Sequence, residues 1–230
     1  MEIKNRAILL SVTPFREKDA VVRFLCEDTG ICPAIVRGFY SSKKKYGFAL
    51  DYFNLLDIDL KKGRGSMYNL SWAEPLHVFE GIRSSLTAYG AAMMLLAVIR
   101  QISGHAPASG FNIVVNALNF IEQADEPWSA SVLGVLNYMK DHGFSLWEDT
   151  CANCGRSIKL PTGISVHGRP LCKTCCKNRC RHLSEDFLAV LQKGTASNTR
   201  ALVKDLDFFV QAITEHSVNL ERFLQLQAVK

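Results

Sequence analysis

Two short cysteine pairs constrain this chain more than any other feature. Cys151-Ala-Asn-Cys154 and Cys172-Lys-Thr-Cys175 stand 17 residues apart, the spacing of a four-cysteine zinc site. A C-x2-C turn aims both thiolates at one ion, and two such turns close a tetrahedron with sulfurs at about 2.3 Å from the metal. A closed shell has no position for a reactive water. The expected ion is therefore a structural Zn2+, holding together a segment with too few apolar residues to fold unaided.

The chain has 8 cysteines, and they read as metal ligands rather than disulfides. Met1-Glu2-Ile3-Lys4-Asn5 opens no apolar secretory leader, and cytosolic thiols are kept reduced. The expected location is the cytoplasm, associated with the nucleoid. Cys176 could replace Cys175, or Cys180 could join an alternative set; the C-x2-C spacing favours Cys175. His167 reads as an ordinary loop histidine, and Cys26 and Cys32 as small buried hydrophobes. No membrane span is expected, because the longest purely apolar run, Ala91 to Ile99, is far short of the roughly 20 residues a helix needs to cross a bilayer.

The net charge of +5 is unevenly spread. Residues 81–150 are net acidic, whereas residues 151–182 contain Arg156, Lys159, Arg169, Lys173, Lys177, Arg179 and Arg181 and not one Asp or Glu. Four thiolates around Zn2+ subtract only part of that charge. The module therefore offers cations to phosphate, unless it is simply a solvated basic surface.

A second basic segment runs from Arg37 to Phe48: Arg37, Lys43, Lys44 and Lys45 interleave with Phe39, Tyr40, Tyr46 and Phe48, with no acid among them. Cations track a backbone while aromatic faces stack on bases, as single-strand binding requires. The individual aromatics serve equally well as core residues at a strand edge. The candidate DNA-binding set is Arg16, Arg37, Tyr40, Lys43, Lys44, Lys45, Lys61, Lys62 and Arg64, with Arg169 and Lys173 from the cysteine module.

Up to about Pro75 the pattern predicts five short strands: Ala7 to Val12, Asp19 to Cys26, Ile31 to Arg37, Tyr52 to Leu60 and Met67 to Glu74. Five strands in that length suggest a small barrel. Pro33 lacks an N–H, so its strand should be an edge or carry a bulge there. After Pro75 the period becomes helical over Ser84 to Ile102, Phe111 to Gln123 and Trp128 to Asp141. Helical character resumes at Ser184, a capping hydroxyl followed by Glu185 and Asp186, and should stop near Gly194. A last helix is expected from Thr199 to His216. The expected division is a barrel over residues 1–80 and a helical domain over 81–150 and 183–230, with the zinc module, 151–182, inserted in it.

Phosphate-cradling, dinucleotide, zinc-protease and nucleophile-elbow motifs are all absent, so no catalytic role is expected. The best enzymatic alternative is a Mg2+-dependent nuclease using Asp57 and Asp59, which alternation places on one strand face. The polar face of a half-buried strand explains the pair more simply. A third reading is a zinc-ribbon adaptor for a protein partner, which would bind DNA weakly and without steep salt dependence.

The order of these features resembles the RecO family of bacterial recombination mediators, over nearly the whole chain. The likeness rests on Ala7-Ile8-Leu9-Leu10 in the first strand, Asp19 to Thr29 leading into Gly30-Ile31, the Arg37-Gly38 step before the basic loop, and the cysteine module among helices. It implies an α+β multidomain protein with a five-stranded OB-fold barrel, then a helical domain carrying the zinc module. It also implies binding to single- and double-stranded DNA, strand annealing, contact with single-stranded-DNA-binding protein, and action with RecR to load RecA.

Overall fold

The structure is a computed structural model and describes residues 2–41, 46, 48–63, 65, 67–102, 110–177, 180–216 and 218–227. Five strands, β1 (Glu2–Phe15), β2 (Asp19–Cys26), β3 (Gly30–Val36), β4 (Asn54–Lys62) and β5 (Tyr68–Val78), close into a barrel in the order β1-β2-β3-β5-β4. All neighbours are antiparallel except β3 and β5, which run parallel over Ala34↔Tyr68 and Ile35↔Asn69. This is the arrangement of the OB-fold. Pro33 sits just before that short parallel ladder, with Arg23 as its partner on β2. The register to β2 runs through Pro33 without a shift and β3 has a neighbour on either side, so the expected edge strand or bulge is not found; Pro33 is without a partner only on the β5 side, where the parallel ladder begins at Ala34.

Alternation along the strands fills the barrel: Val22 and Phe24 on β2, Cys32 and Ala34 on β3, and Leu56, Ile58 and Leu60 on β4 point into one core. β1 behaves differently. Ala7 and Leu9 join the barrel core, while Ile8 and Leu10 enter the core of the helices. The continuous apolar run at Ala7–Leu10 is what a strand buried on both faces needs.

The helices are α1 (Glu80–Ser84), α2 (Leu86–Ile102), α3 (Phe111–Gln123), α4 (Pro127–Asp141), α5 (Glu185–Lys193) and α6 (Thr199–Thr214), followed by a 3-10 helix, Leu220–Gln227. α2 buries ten of its residues and is a core helix. Ser184 caps α5 by accepting the Phe187 N–H at 3.2 Å, and Gly194, at φ +81°, ends it in a left-handed turn. Asn198 caps α6 through the Ala201 N–H, also at 3.2 Å. No described helix is long and apolar enough to cross a membrane.

α3 and α4 meet through Gly134, where an added Cβ would lie 2.6 Å from Ala117 Cβ. That methyl is fixed to its own helix and cannot rotate aside. Gly134→Ala should therefore destabilise the protein by about 1–2 kcal/mol through overpacking, despite the roughly 1 kcal/mol that Ala gains in a helix. The urea midpoint measures it; a stabilised variant would show that the helices yield freely.

Between α4 and α5 the chain forms a three-stranded sheet in the order β7-β6-β8, from β6 (Gly163–Ser165), β7 (Pro170–Leu171) and β8 (Cys180–His182).

Candidate metal centre and nucleic-acid interface

The Sγ atoms of Cys151, Cys154, Cys172 and Cys175 all lie within 4.8 Å of one another. Local hydrogen bonds build the two turns. Gly155, at φ +68°, lets the chain fold back so that its N–H donates to the Cys151 carbonyl at 2.9 Å. In the second turn the Cys175 and Cys176 N–H groups donate to the Cys172 carbonyl at 3.0 and 2.9 Å. The Cys172 N–H also points at the Cys151 sulfur, at 3.4 Å.

Burial raises the Cys151 thiol, but the N–H groups of Cys172, Asn153 and Cys154 outweigh that and hold its pKa at about 6. Backbone N–H from Cys175 likewise lowers Cys172. Cys151 and Cys172 are thus poised to lose their protons to a metal; at Cys175 the Asn153 amide favours the thiolate, but the Cys154, Cys172 and Cys151 sulfurs and burial push the thiol up to about 11. The Cys154 and Cys172 sulfurs are 3.9 Å apart, close to the roughly 3.8 Å edge of a tetrahedron of sulfurs around Zn2+. The donor set fits such an ion. Cys176 stands apart from these four and groups with Cys180 and His182.

The module contains no acid in its own sequence, yet the fold supplies two. Arg169 pairs with Glu148 at 3.7 Å, and Arg181 Nε donates to Asp205 Oδ1 at 3.1 Å. The reading that every module cation is open to phosphate is corrected accordingly. Asp205, 2% exposed, also accepts the Ser184 N–H at 2.7 Å, so one carboxylate of α6 holds both β8 and the start of α5. Lys173 and Arg156 are exposed.

On the barrel, cross-strand partners form one continuous row, Lys61, Asn69, Ile35, Val21 and Thr13. Arg16 and Lys18 lie in the β1–β2 turn just past that row, Arg37 follows the end of β3, and Lys61 and Lys62 end β4. Arg16, Lys18 and Arg37 therefore share the edge where β1 and β3 end and β2 begins, while β4, running the other way, brings Lys61 and Lys62 across β5 to the levels of Ile35 and Ala34; all are exposed. The two turns are fastened together: the Gly38 N–H donates to Asp19 Oδ1 at 2.8 Å and the Tyr40 N–H to the Lys18 carbonyl at 3.0 Å. Tyr40 is 50% exposed beside them. Lys61 pairs with Glu2 at 3.5 Å, whereas Arg37 and Lys62 make no ion pair with any described residue.

Not every candidate joins this edge. Lys43, Lys44, Lys45 and Arg64 lie outside the described residues. Tyr46 is a core residue, buried with its hydroxyl donating to the Leu70 carbonyl at 3.3 Å, and Phe39 packs against the same core. Phe48 is exposed, with the Arg83 guanidinium 5.0 Å from its ring centre.

Asp57 and Asp59 share the outer face of β4, as alternation dictates, opposite Arg6 and Lys4 of β1. Among the described residues, only the two cysteine groups bring three or more metal-ligating side chains together. No motif marks a groove of about 1100 Å3 between α3 and α4, where Ile113, Ala130 and Leu133 line the wall and Phe120 is 70% exposed.

A five-stranded OB-type barrel, a helical layer and an attached four-thiol module define the class of architecture, in which the barrel is a platform used for oligonucleotides and oligosaccharides alike. The family model described as recombination protein O, N-terminal, matches residues 1–79, and its C-terminal counterpart matches residues 83–202. The chain thus belongs to the RecO family of DNA repair proteins. The DNA repair protein RecO of Rubrobacter xylanophilus is 28% identical over 162 residues, covering 67% of this chain and 63% of the relative, less than two thirds of its length. That of Geobacter metallireducens is 27% identical over 180 residues, covering 75% of this chain and 72% of the relative.

Proposed function

We propose that this protein is a non-enzymatic mediator of DNA repair and homologous recombination. In this reading it binds single- and double-stranded DNA along the basic barrel edge and anneals complementary strands. With RecR, it helps load RecA onto DNA coated by single-stranded-DNA-binding protein. The observation that supports the reading is the basic edge of Arg16, Lys18 and Arg37 with Tyr40 exposed beside them, to which β4 adds Lys61 and Lys62 across β5 at the levels of Ile35 and Ala34. Annealing needs little more, since cations reduce the repulsion between two strands while the base edges stay free to pair. Zn2+ in the four-thiol site serves as a structural pin, and Lys173 extends the phosphate-binding surface.

The test is the affinity of the full chain for fluorescent oligonucleotides against salt, with strand length checked afterwards in Mg2+. Affinity should fall steeply with salt, strands should remain intact, and annealing should proceed without ATP. Replacing Arg37 and Lys62 together with Ala should weaken binding to single strands and reduce the salt slope by about 1.4, roughly 0.7 per lost phosphate contact. An unchanged slope would move the DNA site off this edge; shortened strands would favour the carboxylates of β4; weak, salt-insensitive binding would favour an adaptor.

A further inference from the structure

Beside the four-thiol site lies a second convergence of metal-binding side chains. The ligand atoms of Cys176, Cys180 and His182 all lie within 4.8 Å of one another. Both His182 ring nitrogens are close to the Cys176 sulfur, Nδ1 at 3.8 Å and Nε2 at 3.9 Å. Cys180 and His182 are two apart on β8, so alternation gives them the same face. Arg181 between them points the other way and is held by Asp205. The clamp on Arg181 therefore fixes the direction in which the cysteine and histidine face.

The neighbouring strand is shaped to admit these groups. Gly163 of β6 pairs with His182, and a Cβ added there would collide with the Cys176 sulfur and approach the Cys180 sulfur to 3.1 Å. The absent side chain leaves room for the two sulfurs and for the Arg181 carbonyl of β8, which an added Cβ would approach to 2.5 Å. They are in disulfide contact in the structure, with Cα atoms 5.4 Å apart. A disulfide has no use for an imidazole beside it. A metal ion does.

We propose that in the reduced protein Cys176, Cys180 and His182 form a second metal site, separate from the four-thiol site, for a thiophilic divalent ion of the Zn2+ type. Two thiolates and one imidazole are ligands that Zn2+ accepts, and water takes the fourth position. Opening the disulfide requires two electrons and two protons from a thiol or phosphine reductant, and the ion then displaces the protons of both thiols. His182 is exposed and Cys180 half-buried, so the ion has an entry path from solvent. The inference does not depend on the DNA-binding reading.

The experiment is metal analysis of the full chain, reduced and loaded with zinc, then dialysed. Wild type should hold two zinc ions, and Cys180→Ser and His182→Ala should each hold one, with circular dichroism unchanged. In cobalt-loaded protein, His182→Ala should remove the contribution of a mixed sulfur and nitrogen site and leave that of four thiolates. One zinc per chain in wild type and in both variants would overturn the proposal. So would peptide mapping that finds the Cys176–Cys180 disulfide intact in the reduced protein.

Discussion

Cys151→Ser and Cys172→Ser will each release the metal of the four-thiol site and unfold the segment around it. Around the thiols the module has only a small core of its own, Cys151, Leu171, Cys172 and Cys176 with Ile158, Cys175 and Cys180 packed against it, whereas β6 is anchored in the helical core by the fully buried Ile164. For structural Zn2+ the metal's binding free energy is largely the folding free energy, about 10–16 kcal/mol in small zinc peptides near neutral pH. Losing one of four thiolates removes enough of it to leave the two cysteine turns without a stable fold. The barrel and the helices have their own cores and should persist. The measurements are zinc content and limited proteolysis, with new cleavage confined to the module. A variant that retained this zinc and resisted protease would refute the ligand assignment.

Asp205→Ala will give the second large effect, from a site with no metal in it. Its buried carboxylate accepts from the Arg181 side chain and from the Ser184 N–H. Removing it leaves that N–H without its acceptor and frees β8 from α6. Hydrogen bonds to charged groups contribute about 1.5–3 kcal/mol each, but Arg181 is 43% exposed and can rehydrate. The expected loss is about 2–3 kcal/mol in chemical denaturation, with Asp205→Asn recovering part of it through the remaining carbonyl oxygen. A loss below about 0.5 kcal/mol would be ordinary for a surface change and would mean that the clamp carries no load.

These two predictions differ in how far the sequence could reach. The four thiols were legible because C-x2-C is a local device, set by turns of a few residues. Local chemistry also made Ser184 and Gly194 readable as the ends of α5, and alternation made β2 readable from Asp19 to Cys26, where the strand begins and ends in the structure. Asp205 was invisible in this role. Its partners are 24 and 21 residues away, and only the packing of α6 against the module brings them together. The same applies to Glu148 beside Arg169, which the count of acids within the module could not include.

The basic barrel surface shows an intermediate case. Arg16, Lys61 and Lys62 stood out as loop cations and Arg37 as the start of the basic stretch, but Lys61 and Lys62 end β4, and their level beside Ile35 and Ala34 follows from strand registers that no single segment encodes. Tyr40 and Tyr46 illustrate the limit more sharply. Both flank the same lysine run, yet one is half exposed and the other buried, because only Tyr46 reaches the Leu70 carbonyl inside the barrel.

The double burial of β1 carries a mechanical consequence. Ala7 and Leu9 belong to one core, Ile8 and Leu10 to the other, and nothing separates the two sets but a single backbone. The barrel and the helices thus have a party wall rather than a hinge. On the proposed DNA-binding reading, a force exerted near Arg37 would reach the helical layer through this one shared strand, without a linker between them.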